Sequence, residues 1–273
     1  MTSDSARSGA QTAPISRLRW WILLVLVGAY PLVIGLMGAL AGKGGGPALS
    51  RGPRGVLVSS GMELGVFGCI FALAWLAARA SRDDLLLRWR PGWWVLPLGI
   101  GYSLALRVAV AICMGILIGL LVAFRVVTPS ELPQFLKANQ PDLDAVVDVQ
   151  LLRDNPLYFW LVITLVSFVV AGLREELWRA GFLAGLRKLW PNWFGSRVGQ
   201  MGGVVVASVI FGLGHVLMGW LAVLAATLLG LLLGLIMVLH RSIWPAVFAH
   251  GLFDATSFAL LPLVTELQKA SGH

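Results

Sequence analysis

Charge is what this chain has least of. Only 12% of its 273 residues are Asp, Glu, Lys or Arg, against 58% hydrophobic, and the mean hydropathy is +0.83. A soluble domain carries roughly twice that share of charge, so a soluble globular protein is excluded. Cysteine is almost as scarce. Cys69 and Cys113 each lie inside an apolar run, which removes a disulfide framework and a CxxC metal site. No GxSxG, no HExxH and no cysteine beside a histidine occurs, so nucleophile-elbow hydrolases, ordinary zincins and cysteine nucleophiles find no support. The net charge of +8 is no nucleic-acid footprint. Its basic residues fall mainly between the apolar runs, where the positive-inside rule expects them, and no nucleic-acid partner follows.

Long hydrophobic runs are abundant. They fall at about 20–42, 56–78, 93–124, 157–173, 201–217, 219–239 and 243–265, and several exceed the ~18 residues of a spanning helix. The expected fold is all-α, a polytopic membrane protein of about seven to eight transmembrane helices with its site between helices of the C-terminal half. The expected divisions are a disordered cytoplasmic tail at 1–19, N-terminal spans at 20–125, an extramembrane loop at 126–156, a catalytic core at 157–265 and a tail at 266–273. Tryptophans gather at segment edges, as an interfacial belt places them (Trp20, Trp21, Trp89, Trp93, Trp94, Trp190, Trp193, Trp244). The connections holding Arg79, Arg82, Arg88 and Arg90, and Arg187, Lys188 and Arg197, are expected on the cytoplasmic side. The acidic 126–156 connection is expected outside, with Lys43, Arg51 and Arg54 beside it against the rule. The first run is too long for a signal-peptide core and reads as a retained helix of a multi-pass protein; a bacterial inner membrane is the expected location.

Against that background, REELWRAGFL at 174–183 places Arg174, Glu175, Glu176 and Arg179 directly after an apolar run. Ionisable groups at bilayer depth cost at least ~2.5–3.5 kcal/mol each on insertion scales and are functional suspects by default. The others are Glu63, Arg107, His215, His250 and Asp254. Glu63 lies 15 residues before Ala78 and Arg107 lies 14 after Trp93. At ~1.5 Å per residue a hairpin puts both ~21–22 Å from the shared loop, and a neutralising Glu63–Arg107 pair is expected. The same spacing about the turn PNWFGS sets Glu176 and His215 at one level, with His215 on a helix that has little room to cross. His250 and Asp254 are i and i+4, as are Phe211 and His215 and also Glu175 and Arg179; Glu176 and Arg179 are i and i+3.

Carboxylates beside imidazoles can deprotonate a water for attack on an amide carbonyl. Histidine can hold that water, protonate the leaving amine or bind a divalent metal. Spacing alone suits a proton-coupled transporter as well, since Glu, His and Asp chains relay protons.

In order, REELWRAGFL, SVIFGLGH and IWPAVFAHGLFDAT resemble the CPBP family of intramembrane proteases, the CAAX-protease and bacteriocin-processing group also called Abi. Its pattern is EExxxR, FxxxH and HxxxN or HxxxD on successive membrane helices. The resemblance covers about residues 157 to 262 and departs in one place, where the arginine comes one residue early, at Arg179. It implies Glu175 as general base, Glu176 paired with Arg179, His215 and His250 on water, metal or oxyanion, Asp254 in support of His250, and Phe211 in the substrate groove. It also implies that Glu175, His215 and His250 can hold a divalent metal such as zinc, while the same groups can act on water without one. Asparagine is frequent in the family where this chain has Asp254, and an ionised aspartate cannot donate to an oxyanion.

The expected activity is thus a CAAX-protease-like intramembrane endopeptidase, metal-dependent or not, acting on a membrane-associated protein or peptide. Two alternatives stand beside it: a proteolytically inactive scaffold or regulator of the same family, and a proton-coupled transporter. Substrate identity and oligomeric state are not written in the chain.

Overall fold

The computed structural model describes residues 14–41, 52–139 and 146–270. They are helical throughout their ordered elements, with no strand among them. The long helices are α1 (Pro14–Ala41), α2 (Gly52–Ala78) and α3 (Val95–Ala123). Short helices α4 (Leu132–Asn139) and α5 (Val149–Asp154) follow, then α6 (Pro156–Leu161), which runs through a π-helical stretch, Val162–Leu173, into α7 (Arg174–Leu189). After the four-residue α8 (Pro191–Phe194) come α9 (Arg197–Leu213), α10 (Trp220–His240) and α11 (Trp244–Ala270).

Six helices among the described residues are long and apolar enough to cross a membrane, an all-α polytopic architecture. The expected seventh is α9, which reaches only 17 residues. Its helix stops at Leu213 because Gly214 and His215 turn into a 3-10 segment, Val216–Met218, and Gly219 adopts φ +99°, a conformation open to glycine at no steric cost. The early stop of α9 agrees with the little room to cross that the spacing of His215 and Gly219 suggested. Two boundaries also move. The first helix begins at Pro14, six residues before the expected run, and residues 1–13 of the expected tail lie outside the described residues. The last extends to Ala270, past the expected 265. In the 126–156 connection α4 is a short helix, whereas Asp142 and Asp144 lie outside the described residues, as do Lys43, Arg51 and His273.

The bilayer-facing surface follows from helical period. On α3, Leu96, Ile100, Leu104, Val108, Ile112, Ile116 and Leu120 are all exposed and four residues apart, one continuous apolar stripe. Lipid tails solvate such a stripe as well as a protein core does. The polar and buried residues are gathered instead around α7, whose residues from Trp178 to Leu186 are all buried. Phe67 and Phe71 of α2, Leu23, Leu24 and Val27 of α1, and Ala207 of α9 close around it.

Candidate active site

The site begins with a register change in the backbone. Along Val162–Leu173 the helix is π-bonded, and Ser167 Oγ donates to the carbonyl five residues back, Val162, at 2.9 Å. π segments are rare and recur at functional sites; this one ends at Leu173, one residue before the charges start at Arg174. Gly172 near its end touches backbone on α11: a Cβ there would lie 2.9 Å from the Val247 carbonyl and 3.5 Å from the Gly251 amide. Gly251 in turn lies under the Phe168 ring. Small residues let membrane helices approach closely, and here the approach brings His250 against the two glutamates.

His250 is buried, 3% exposed, and sits among three carboxylates. Its Nδ1 is 3.2 Å from Glu176 Oε1, and its Nε2 is 3.8 Å from Glu175 Oε2 and 3.6 Å from Asp254 Oδ2. The first is a hydrogen bond; the other two are longer than one. Glu176 and Arg179 are both fully buried and form an ion pair on one helix face, three residues apart. Arg179 also lies over the Phe211 ring, 5.2 Å from its centroid. Glu175 takes a different cation: Arg174 Nη2 donates to its Oε1 at 2.7 Å, and Arg174 Nη1 pairs with Glu63 of α2. The displaced arginine therefore serves Glu176 from i+3, and Glu175 keeps its second oxygen toward His250.

His215 sits in the turn that ends α9. Its Nδ1 is 2.9 Å from the Phe211 carbonyl. A carbonyl only accepts, so Nδ1–H donates, and in the neutral ring Nε2 is left as an acceptor. His215 and Glu175 line one cavity of about 320 Å³, together with Tyr30, Glu63, Arg174 and Trp178. Phe211 is part of its wall. His250 and Asp254 stand behind Glu175, outside that lining.

The expected Glu63–Arg107 pair does not form. Equal depth is not adjacency: α3 packs on α11, and Arg107 bonds the Phe253 carbonyl, Thr256 and Ser257 there while lying 4.4 Å over the Phe253 ring. Glu63 is left to Arg174, inside the cavity rather than in a remote structural bridge. Tyr30 and Trp178 are the polar-tipped aromatic lining residues that sequence reasoning passed over, beside Pro31, Ile34 and Gly214. Tyr30 is one of only three tyrosines and lies mid-run, a polar handle at bilayer depth; Trp178 lies within the charged motif, away from the segment edges where the other tryptophans gather.

The implied metal ligands do not converge. His250 turns one nitrogen to Glu176 and the other between Glu175 and Asp254, while His215 commits Nδ1 to backbone. Among the described residues no group of three or more His, Cys, Asp or Glu is placed to hold a metal ion.

Compared with known proteins, residues 156–256 match the family model described as Rce1-like, Type II CAAX prenyl endopeptidase Rce1-like. No curated protein and no solved structure matches the chain. The match starts at the first residue of α6 and ends two residues past Asp254, so it holds the whole polar centre but neither Tyr30 nor Glu63. That segment, with the CPBP motifs in order within it, is thus similar to the Rce1-like type II CAAX prenyl endopeptidase family.

Proposed function

We propose that this protein is an intramembrane endopeptidase that hydrolyses a peptide bond of a membrane-associated protein or peptide, with Glu175 activating the water. The observation that carries the reading is the shared cavity: a carboxylate and an imidazole face one space whose other walls are largely apolar. In the reaction Glu175 takes a proton from water, and the hydroxide adds to the scissile carbonyl carbon. The tetrahedral intermediate then collapses, its C–N bond breaks, and the proton held by Glu175 passes to the leaving amine. Such proton transfer contributes ~10²–10⁴-fold. His215 lines the cavity with Glu175, so its Nε2 can accept a hydrogen bond from the water, and the protonated ring can donate to the oxyanion. His250, held between Glu176 and Asp254, fixes the back of Glu175. Tyr30, Pro31, Ile34, Trp178 and Phe211 supply an apolar wall for a hydrophobic side chain or a lipid-modified residue.

The test is mass spectrometry of new peptide termini in membranes carrying wild type or Glu175→Gln at equal, folded levels. Termini that disappear in the variant support the reading and name substrates. Termini that disappear only in Glu176→Gln keep the protease and move the base. Identical termini in all three, with bound partner proteins unchanged, favour the scaffold reading.

A further inference from the structure

A second cavity, of about 190 Å³, lies at the arginine-rich end of the bundle, where α7, α9 and α10 end or begin. It is lined by Arg187 of α7, Arg197 and Gln200 of α9, and Arg241 beyond α10, with Leu86 and Val238 as its floor. No carboxylate is in the lining. Asp84, the carboxylate beside Arg187, is engaged by Lys188 Nζ at 2.8 Å and by Ser81, and its hydrogen bond to Arg187 is made by the backbone carbonyl. Among the described residues Arg197 and Arg241 make no ion pair. Arg187 Nε is buried and without a hydrogen-bond partner among them.

Three guanidiniums with no carboxylate in the lining beside them repel one another, and ties between neighbouring loops hold them there. Ile243 N donates to the Leu86 carbonyl at 3.0 Å and Ser242 Oγ to the Arg88 carbonyl at 2.8 Å, which clamps the α10–α11 link to the 79–91 loop. Arg241 itself caps α10 with φ +51°, a position that glycine or asparagine ordinarily fills. Leu86 across the cavity is also left-handed, φ +56°. Strained residues of this kind mark ligand clamps.

We infer that this cavity binds a phosphate group, through Arg187, Arg197 and Arg241 with Gln200 as a further donor. Guanidinium forks match phosphate oxygens bidentately. Trp89, Trp190, Trp193 and Trp244, each within three residues of a lining residue along the chain, set the depth at the membrane interface, where anionic phospholipid headgroups are concentrated; free phosphate offers the same chemistry. The cavity is remote from the cleavage site, since Arg187 is 13 residues along the helix from Arg174, about 20 Å at the helical rise.

The experiment is native mass spectrometry of the delipidated full chain in neutral detergent, titrated with phosphatidylglycerol or phosphatidylcholine. Wild type is expected to keep one phosphatidylglycerol in preference to phosphatidylcholine. Arg197→Gln/Arg241→Gln loses that adduct by roughly fivefold per arginine, the worth of one basic side chain facing an anionic headgroup. Gln200→Glu, which adds a carboxylate without removing an arginine, loses it too. Arg79→Asn/Arg82→Gln, on the same end but outside the cavity, keeps it. Inorganic phosphate at matched ionic strength separates the sources: displacement of the lipid shows that the phosphate group alone suffices, and no displacement assigns the site to the whole headgroup. Equal loss in the Arg79/Arg82 variant, or no preference for phosphatidylglycerol together with no effect of phosphate, overturns the inference.

Discussion

At the scale of single residues, the two adjacent glutamates divide their work by burial. Glu176 is sealed with Arg179 and His250, whereas Glu175 reaches the cavity. Removing one member of a buried ion pair strands the other charge and costs about 3–5 kcal/mol. Arg179→Met is therefore expected to unfold far more readily than wild type in detergent denaturation, and the double variant Arg179→Met/Glu176→Gln to recover most of the loss. If the single and double variants unfold alike, the pair is not what holds this part of α7. Arg174 is shared between two carboxylates, Glu63 and Glu175. With Glu63→Gln the guanidinium turns wholly to Glu175 and quenches it as a base. Cleavage should then be slower than wild type but faster than Glu175→Gln, at unchanged stability; a wild-type rate would show that Glu63 has no hold on the base.

Among elements, the decisive contact is the π-bonded stretch of the α6–α7 helix against α11. A Cβ at Gly172 meets a backbone carbonyl, which cannot swing aside as a side chain can. Gly172→Ala is thus expected to separate His250 from Glu175 and lower the cleavage rate by ~10²-fold, the scale of a 1 Å misplacement, while the helices remain assembled. A rate near that of wild type would mean the two helices need not touch here. Much of this level was legible in the sequence, because length, hydropathy and the order of charged motifs locate helices and depth directly. Depth set His215 near the level of the α7 glutamates, and the stop at Gly219 was visible as a span with no room to cross. Depth alone could not say which helices are neighbours. The Glu63–Arg107 expectation failed for that reason, since α3 lies on α11 and α2 beside α1 and α7. Nor does periodicity report a π segment, or which of two adjacent glutamates an arginine along the chain will take as its partner.

On the scale of the whole molecule, the hydrophobic exterior and the polar interior exchange their usual places, and the membrane end of the fold is tied by a loop cluster outside the spans. Asp84 in the α2–α3 loop is a key tie. Partial burial pushes its carboxyl upward, but the hydrogen bond from Lys188 and those from Ser81 outweigh that and hold it below its ordinary value of 3.8. A carboxyl lowered on folding stabilises the protein above its unfolded value, and that contribution is lost as pH falls through the folded one. The stability gap between wild type and Asp84→Asn should be present near neutral pH and vanish in acid below 3.8, read from thermal melts at each pH; a gap independent of pH would show that the charge of Asp84 contributes nothing. The central claim is that Glu175 activates water for peptide cleavage in the cavity it shares with His215. Its most direct measurement is the cleavage rate of the purified chain in liposomes, wild type against Glu175→Gln, with both verified as folded. The account predicts a fall of at least ~10²-fold, the lower end of what a positioned general base contributes; a folded Glu175→Gln that cleaves at the wild-type rate contradicts it.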